Sequence, residues 1–355
     1  MKKYKQQGES GLFGEQFRLE KLSNQGDPLE RLNKVINWDL FAPILTKLEN
    51  TDKKNNAGAK PFNPLLMFKI LILQRYYNLS DGQIEYQILD RLSFSRFLGL
   101  TLNDRVPDEK TVWAFKERLT GLGLEKELFN AFNVKLEENN LIAHQGKIID
   151  ASFVEMPRQR NSREENKHIK ETGTAPASWD EEPNKKRQKD IDARWTKKDN
   201  ESHYGYKDHA KVDNKHKFID KYMVTDASVH DSQALGGLLD EKTDQGKDLW
   251  ADSAYTGNNQ DKTIEKYKMN NKVCEKGTRN NPLTQEQKAS NREKSKVRSR
   301  VEHVFGFIEG SMNRFRLNCI GVKRASTAIG LINLTYNLFR YEQLVRLHGI
   351  TMSNF

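Results

Sequence analysis

Lys147-Ile-Ile-Asp150-Ala-Ser-Phe-Val154 sets one acid in the middle of an apolar, β-branched and aromatic run. Such a run reads as a buried strand. A carboxylate inside a buried strand is costly to desolvate unless a cation or metal ion offsets the cost. Asp248-Leu-Trp-Ala-Asp252-Ser-Ala-Tyr255 repeats the arrangement and delivers an acid to the end of an apolar run. A third acid, Glu302, lies in a patterned helix. There Val297, Val301, Val304, Phe305 and Ile308 recur at helical spacing, and Arg298, Glu302 and Glu309 lie on the rim of that stripe. Arg298 and Glu302, four residues apart, are placed to pair. Alone, Glu302 reads equally as half of a surface ion pair. Together, two strand acids and one helix acid point to a carboxylate cluster that binds divalent metal.

The 355 residues carry 59 Lys and Arg against 49 Asp and Glu, a net charge of +10. This excess favours a polyanionic partner, nucleic acid ahead of an anionic membrane surface. The length favours two domains. With 36% hydrophobic and 30% charged residues, part of the chain reads as solvated linker or insertion. The two cysteines, Cys274 and Cys319, are far apart, which excludes a disulfide framework or a cysteine zinc site and fits a reducing cytosol. Lys2, Lys3 and Lys5 are followed by no apolar core, so a signal peptide is not expected. The most apolar run, 64–73, contains Lys69 and is too short to span a bilayer, so no membrane partner is expected.

Residues 1–26 are polar and unpatterned, and are expected as a flexible tail. Residues 27–140 read as an all-helical domain. Asp27-Pro28 and Asn63-Pro64 are caps followed by first-turn prolines, and the apolar segment after Pro64 is expected as the central helix. Helices 81–91 and 108–119 form a candidate helix-turn-helix-like pair, the second showing Lys110, Lys116 and Arg118 to solvent. A helical bundle with basic helix ends fits the same pattern.

Residues 145–347 change character. After strand 147–154, residues 155–203 mix opposite charges with Pro157, Pro176 and Pro183 and have no hydrophobic period. That composition predicts a polar insertion, mobile or locally ordered, with Trp179 and Trp195 docking locally. Strands are expected at 204–212, 218–225, 248–254 and 272–274. Helices are expected after Asp231, over 259–269, and from about 288 onward. The order β, β, β, α, β, α, β, α predicts an α/β fold, a mixed sheet with helices on its faces. Residues 313–325 are basic, and Arg314, Arg316, Lys323 and Arg324 are candidate phosphate contacts. An apolar helix over 325–347 is expected to pack the core of the second domain, with a dimer surface as the other reading. His209 and His216 have no cysteine partners at zinc spacing, and His230 precedes a capping aspartate, so all three read as structural.

The series Asp150, Asp252, Glu302, with Arg298 four residues before the glutamate, is accompanied by further matching segments. These are Gly205-Tyr-Lys207, Val224-Thr225, His230-Asp231-Ser232, Ala251-Asp-Ser-Ala-Tyr255, Arg300-Val-Glu-His303 and Asn337-Leu-Phe-Arg-Tyr341. Over roughly residues 30–345 the set resembles the DDE transposases of bacterial insertion sequences, more narrowly the insertion sequence five family. The resemblance implies a ribonuclease-H-like catalytic domain preceded by a helical domain that helps recognise the element's terminal inverted repeats. It implies that Asp150, Asp252 and Glu302 are the catalytic, metal-holding acids, and that Arg298 and Lys207 stand at the DNA. Lys207 also reads as an ordinary exposed strand lysine. Family members often carry tyrosine three residues before the arginine and a DNA-contacting lysine seven after the glutamate. Ser295 and Glu309 occupy those places here, leaving Arg314 and Arg316 as candidates for that contact.

Phosphoryl transfer accounts for the residue types. Two divalent ions roughly 3.5–4 Å apart serve an in-line displacement at phosphorus, and Mg2+, for which Mn2+ can substitute, prefers hard oxygen ligands. On this reading Asp150 bridges both ions while Asp252 and Glu302 each hold one. Water as nucleophile cuts the element's end, and the freed 3′-hydroxyl joins it to target DNA. The expected partners are double-stranded DNA and further copies of the chain, in the bacterial cytoplasm at the nucleoid. Two other functions fit the same features: a DNA-binding regulator with an inactive centre, and a structure-selective nuclease of the same fold.

Overall fold

The structure is a computed structural model and describes residues 13–48, 60–142, 145–198 and 200–350. Residues 1–12 of the expected tail lie outside the described residues. The rest of that segment is not featureless, because helix α1 (Gly14–Asn24) forms there. It buries no side chain, but Arg96 holds it by donating to the Leu19 carbonyl and to Ser23 Oγ.

Seven more helices follow, α2 (Pro28–Val35), α3 (Ala42–Leu45), α4 (Pro64–Tyr76), α5 (Asp81–Asp90), α6 (Leu92–Leu98), α7 (Glu109–Leu122) and α8 (Leu124–Glu138). The caps act as expected. Asp27 and Asn63 accept from the amides of Leu29 and Leu65, each with proline at the first helical turn. Ser80 and Gln83 form a reciprocal capping box. The expected helix-turn-helix pair is corrected: α6 stands between α5 and α7, so no short turn joins them. Leu92-Ser-Phe-Ser-Arg-Phe-Leu98 buries Phe94, Phe97 and Leu98, and Gly99 closes it in the left-handed conformation.

The sheet has strands β1 (Lys147–Glu155), β2 (Arg194–Lys198), β3 (Glu201–Asp213), β4 (Ile219–Asp226), β5 (Asp248–Trp250) and β6 (Asn270–Asn271). Its order is β2-β3-β1-β5-β6, with β4 also on β3. β1, β3 and β4 are antiparallel neighbours, while β1–β5 and β5–β6 are parallel. This is the mixed, ribonuclease-H-like sheet expected. The remaining helices are α9 (Arg163–Thr172), α10 (Pro183–Arg187), α11 (Leu235–Leu238), α12 (Asn258–Lys266), α13 (Gln285–Arg298), α14 (Glu302–Ser311) and α15 (Val322–His348).

Residues 155–203 contain more order than their composition predicted. Ser162 and Glu165 form a capping box that starts α9, and β2 adds to the edge of β3. Trp179 is fully buried and donates from Nε1 to Glu165 Oε1 at 2.6 Å. One docked indole and one cap thus organise a segment that has no hydrophobic period. Trp195, by contrast, remains 41% exposed.

The two faces of β1 pack differently, as period-two alternation requires. Ile148 and Val154 join the large core, whereas Ile149 joins a smaller one with Leu235, Leu238 and Leu249. The large core does not stop at residue 140. It runs continuously from Leu29 through the sheet to Leu344, and α15 lies within it. The expected helical and catalytic domains thus share one core: α15 is buried nearly all round because it serves both the helical part and the sheet.

Polar side chains fix that junction. Asn337 Oδ1 accepts from the Ile219 amide, and its Nδ2 donates to the Ile219 carbonyl and to Asn133 Oδ1. Asn133 in turn donates to the carbonyls of Ile219 and Asp220. Asn337→Ala would leave a buried amide and a buried amide oxygen without these partners, at a cost of about 3 kcal/mol. The expected outcome is a melting temperature lower by several degrees in calorimetry, and an unchanged melt would contradict this role for the asparagine.

Candidate active site

The parallel pairing of β1 with β5 sets Lys147 opposite Leu249 and Ile148 opposite Trp250. Asp150 and Asp252 each lie two residues beyond the Ile148–Trp250 pair, so adjacent strands bring them to one level of the sheet. Neighbouring strands run about 4.8 Å apart. Gly146 makes this register possible. A Cβ there would fall 2.2 Å from the Trp250 ring, and its φ of +144° suits glycine.

The second strand ends earlier than expected. β5 stops at Trp250 rather than at 254, because Asp252 turns to cap the 3-10 turn Ser253–Tyr255, accepting from the Ala254 amide at 2.9 Å. The acid is therefore held at the mouth of the strand.

The helix of the third acid is also divided. α13 ends at Arg298 and α14 begins at Glu302. Between them, i→i+3 bonds from Val301 to Arg298 and from Glu302 to Ser299 tighten the backbone. Arg300 fastens this corner to the β3–β4 turn through the Asn214 carbonyl and Oδ1, both at 2.9 Å. Glu302 thus opens a helix instead of lying midway along one. Val301, Val304, Phe305 and Ile308 are buried as their spacing predicted.

Arg298 joins the acids. Its Nη1 lies 3.3 Å from Asp150 Oδ2 and its Nη2 donates to Glu302 Oε1 at 2.9 Å. The Asp150 side chain is 18% exposed, that of Glu302 59%. Burial pushes the Asp150 carboxyl up from 3.8 to about 6, with the Asp252 charge adding to the rise and the Ala151 amide and Arg298 opposing it. Glu309 approaches the same strand further along, where Ser152 Oγ lies 3.5 Å from its Oε1.

Among the described residues, no three of His, Cys, Asp and Glu stand together as a ready group for one metal ion. The donors nevertheless suit a hard cation. All are carboxylates, two repel each other electrostatically, and a guanidinium already sits between Asp150 and Glu302 as a stand-in positive charge.

The basic residues divide into engaged and free. Lys207, expected at the DNA, is buried and donates to Asp231 Oδ1 and the Val229 carbonyl at 2.8 and 2.7 Å. It also lies over the Phe153 ring. Lys116 pairs with Asp81, Arg324 holds Glu117 through two 2.7 Å bonds, and Arg118 donates to the Leu48 carbonyl. Lys110, Arg314, Arg316 and Lys323 are exposed and make no ion pair among the described residues. His209 is buried on Thr225 Oγ1, and His216 bonds the Leu141 carbonyl. His230 caps the following turn. All three histidines are structural. No helix among the described residues is long and apolar enough to cross a membrane.

Residues 143–338 match the family model of the transposase DDE domain, and residues 17–118 match that of a transposase domain (DUF772). Among solved structures, a piggyBac transposase synaptic complex with hairpin DNA, determined by cryo-electron microscopy, is similar at a TM-score of 0.43 and 12% identity. The likeness covers 92% of this chain and 75% of that one.

The raised Asp150 group makes stability depend on pH with a definite sign. The folded chain holds this proton more tightly than the unfolded chain does. The contribution is therefore fully present below about pH 4 and is lost as pH rises through about 6. In chelator, the stability of the native chain relative to Asp150→Asn should fall by on the order of 2 kcal/mol between pH 4 and pH 7. Parallel melts that track each other across that range would contradict it.

Proposed function

The chain belongs to the DDE transposases, with the pair of domains typical of the insertion sequence four and five families, and from that premise we propose that it cuts the ends of its element and joins them to target DNA. The observation that carries the reading is the pairwise linkage of three acids through strand pairing and one arginine. β-sheet register levels Asp150 with Asp252, and Arg298 ties Asp150 to Glu302.

Asp150, Asp252 and Glu302 would hold two Mg2+ ions, or Mn2+ in their place, whose chemistry is to stabilise charge on the attacking and leaving oxygens at phosphorus. The protein's own contribution is preorganisation. Asp150 is fixed by strand pairing and by the Ala151 amide, and Asp252 by its cap on the following turn. Arg298 keeps the Asp150 and Glu302 carboxylates facing one point before any ion or DNA arrives. Its guanidinium, 23% exposed, is then placed to exchange a carboxylate for a DNA phosphate. DNA would be drawn in by the unpaired cations Lys110, Arg314, Arg316 and Lys323, whose contacts are sequence-independent. Lys207, Lys116 and Arg324 are already neutralised and are assigned no DNA contact.

Glu302→Gln should abolish both cleavage and joining while preserving the melt and DNA binding. Glu309→Gln should leave cleavage largely intact, because Glu309 reaches Ser152 rather than the Arg298 clamp. The comparison uses a duplex of the DNA flanking the gene in saturating magnesium, scored for cut and for joined product. A dead Glu309→Gln beside an active Glu302→Gln would overturn the assignment of the third acid. Cutting by the native chain without joined product would favour a nuclease.

A further inference from the structure

Beside Glu302 the surface opens into a cavity of about 570 Å³, lined by Lys217, Glu302, His303, Gly306, Tyr336 and Arg340 among others. Its cations come from two separate elements. Lys217 lies in the β3–β4 turn at a φ of +64°. That turn is fixed by its backbone: the Lys217 amide donates to the Asp213 carbonyl, and the Lys217 carbonyl accepts from Tyr336 Oη at 2.8 Å. Arg340, on α15, donates from Nε to the His216 carbonyl at 2.7 Å and from Nη1 to Gln343.

Lys217 is the cation here on which no acid acts appreciably. Lys217 makes no side-chain hydrogen bond or ion pair among the described residues, and Arg340 spends its donors on neutral oxygens. Arg300 adds a third positive charge nearby, also bonded to neutral oxygens. The acid in the lining, Glu302, is itself paired with Arg298. Burial lowers the Lys217 pKa, and Arg340 and Arg300 lower it further, whereas Asp213 is the acid that acts on Arg340. The backbone of Lys217 is held by two hydrogen bonds, while its ammonium has no partner among the described residues.

We propose that this cavity is a seat for a DNA backbone phosphate, held by Lys217 and Arg340 next to the phosphate that is attacked. The inference rests on the reading of Glu302 as part of the active site, since a strand lying at Asp150 and Glu302 continues into the cavity. A phosphodiester meets both kinds of lining: its anionic oxygens face Lys217 and Arg340, and its sugar faces the aromatic surface of Phe307 and Tyr336. Nothing in the pattern of the sequence marks Lys217, and Arg340 stands out only as part of the Asn337–Tyr341 segment.

Two variants test the seat without disturbing its scaffold. Lys217→Asn removes the charge and keeps a residue that tolerates the left-handed backbone. Gly306→Leu fills the cavity, and its Cβ meets no atom within 4 Å. Binding of the full chain to a duplex of the DNA flanking the gene is read by fluorescence anisotropy across a salt series, in chelator so that nothing is cut. For Lys217→Asn, affinity should fall several-fold and the slope of log K against log salt should shrink by about 1. Gly306→Leu should weaken binding with a native melt. Native affinity and slope in both variants would overturn the proposal. A separate assay of cleavage by the native chain in magnesium keeps the two readings apart. A reduced slope in Lys217→Asn with no native cleavage would sink the carboxylate reading and leave Lys217 as a phosphate contact, no longer one beside an attacked phosphate. Native cleavage with an unchanged slope would do the reverse.

Discussion

A carboxylate held inside a sheet must find positive charge, and much of this structure follows from how Asp150 does so. The strand that carries it is apolar on both faces, so the acid is desolvated by its own neighbours, and its proton affinity rises accordingly. The compensating charge comes from a helix nearly 150 residues later. Arg298 meets Asp150 at the last residue of α13, where the chain turns a corner before α14. That corner is held from below by Arg300 on the β3–β4 turn and packed from above by Val301, Val304 and Phe305. The guanidinium that makes the buried acid tolerable also collects Glu302, so one electrostatic requirement assembles two-thirds of the acidic cluster.

The remaining third is set by backbone geometry. Parallel strands carry their side chains in step up to the Ile148–Trp250 pair, and Asp150 and Asp252 each follow two residues later, close enough for the charge of one to raise the proton affinity of the other. The device depends on Trp250 lying against Gly146, where a side chain would collide. It also depends on a sheet that does not shift, and α15 supplies that constraint. By burying itself in both the helical part and the sheet, α15 makes the core continuous. Asn337 and Asn133 then lock β4 to α8 and α15 with bonds that slippage by one residue would break.

The acids were legible in the sequence because a charged residue within a buried run is rare and has few explanations. The strands β1, β3 and β4, the caps at Asp27, Asn63 and Ser80, and the apolar stripe of α14 were legible for similar local reasons. What was not legible is non-local. The premature end of β5 comes from an aspartate choosing the Ala254 amide over the ladder. The division between α13 and α14 comes from a contact between Arg300 and a turn some 86 residues away in sequence. The order in residues 163–198 comes from one tryptophan finding a pocket, which no average over composition detects. The continuity of the core across residue 140 was hidden because a helix buried on every side gives the same pattern whether it serves one unit or two.

Basic residues show the limit of reading charge along a chain. A lysine contributes to the field felt by DNA only if its charge is not already answered, and the answer lies in the fold. Lys207, Lys116 and Arg324 were attractive by position, yet each faces a carboxylate brought from elsewhere: Asp231, Asp81 and Glu117. Lys217 was unremarkable by position, in a short polar turn, yet it has no ion-pair partner among the described residues and lines the cavity beside Glu302. The same separation governs Arg298, whose pairing is with the site itself. A cation paired to a surface acid is spent, whereas one paired to an acid that must later release it is held in reserve. The arrangement around Glu302 therefore combines both kinds of available charge, one stored on the carboxylates and one free in the adjoining cavity. That combination favours a polyanion entering beside the acids.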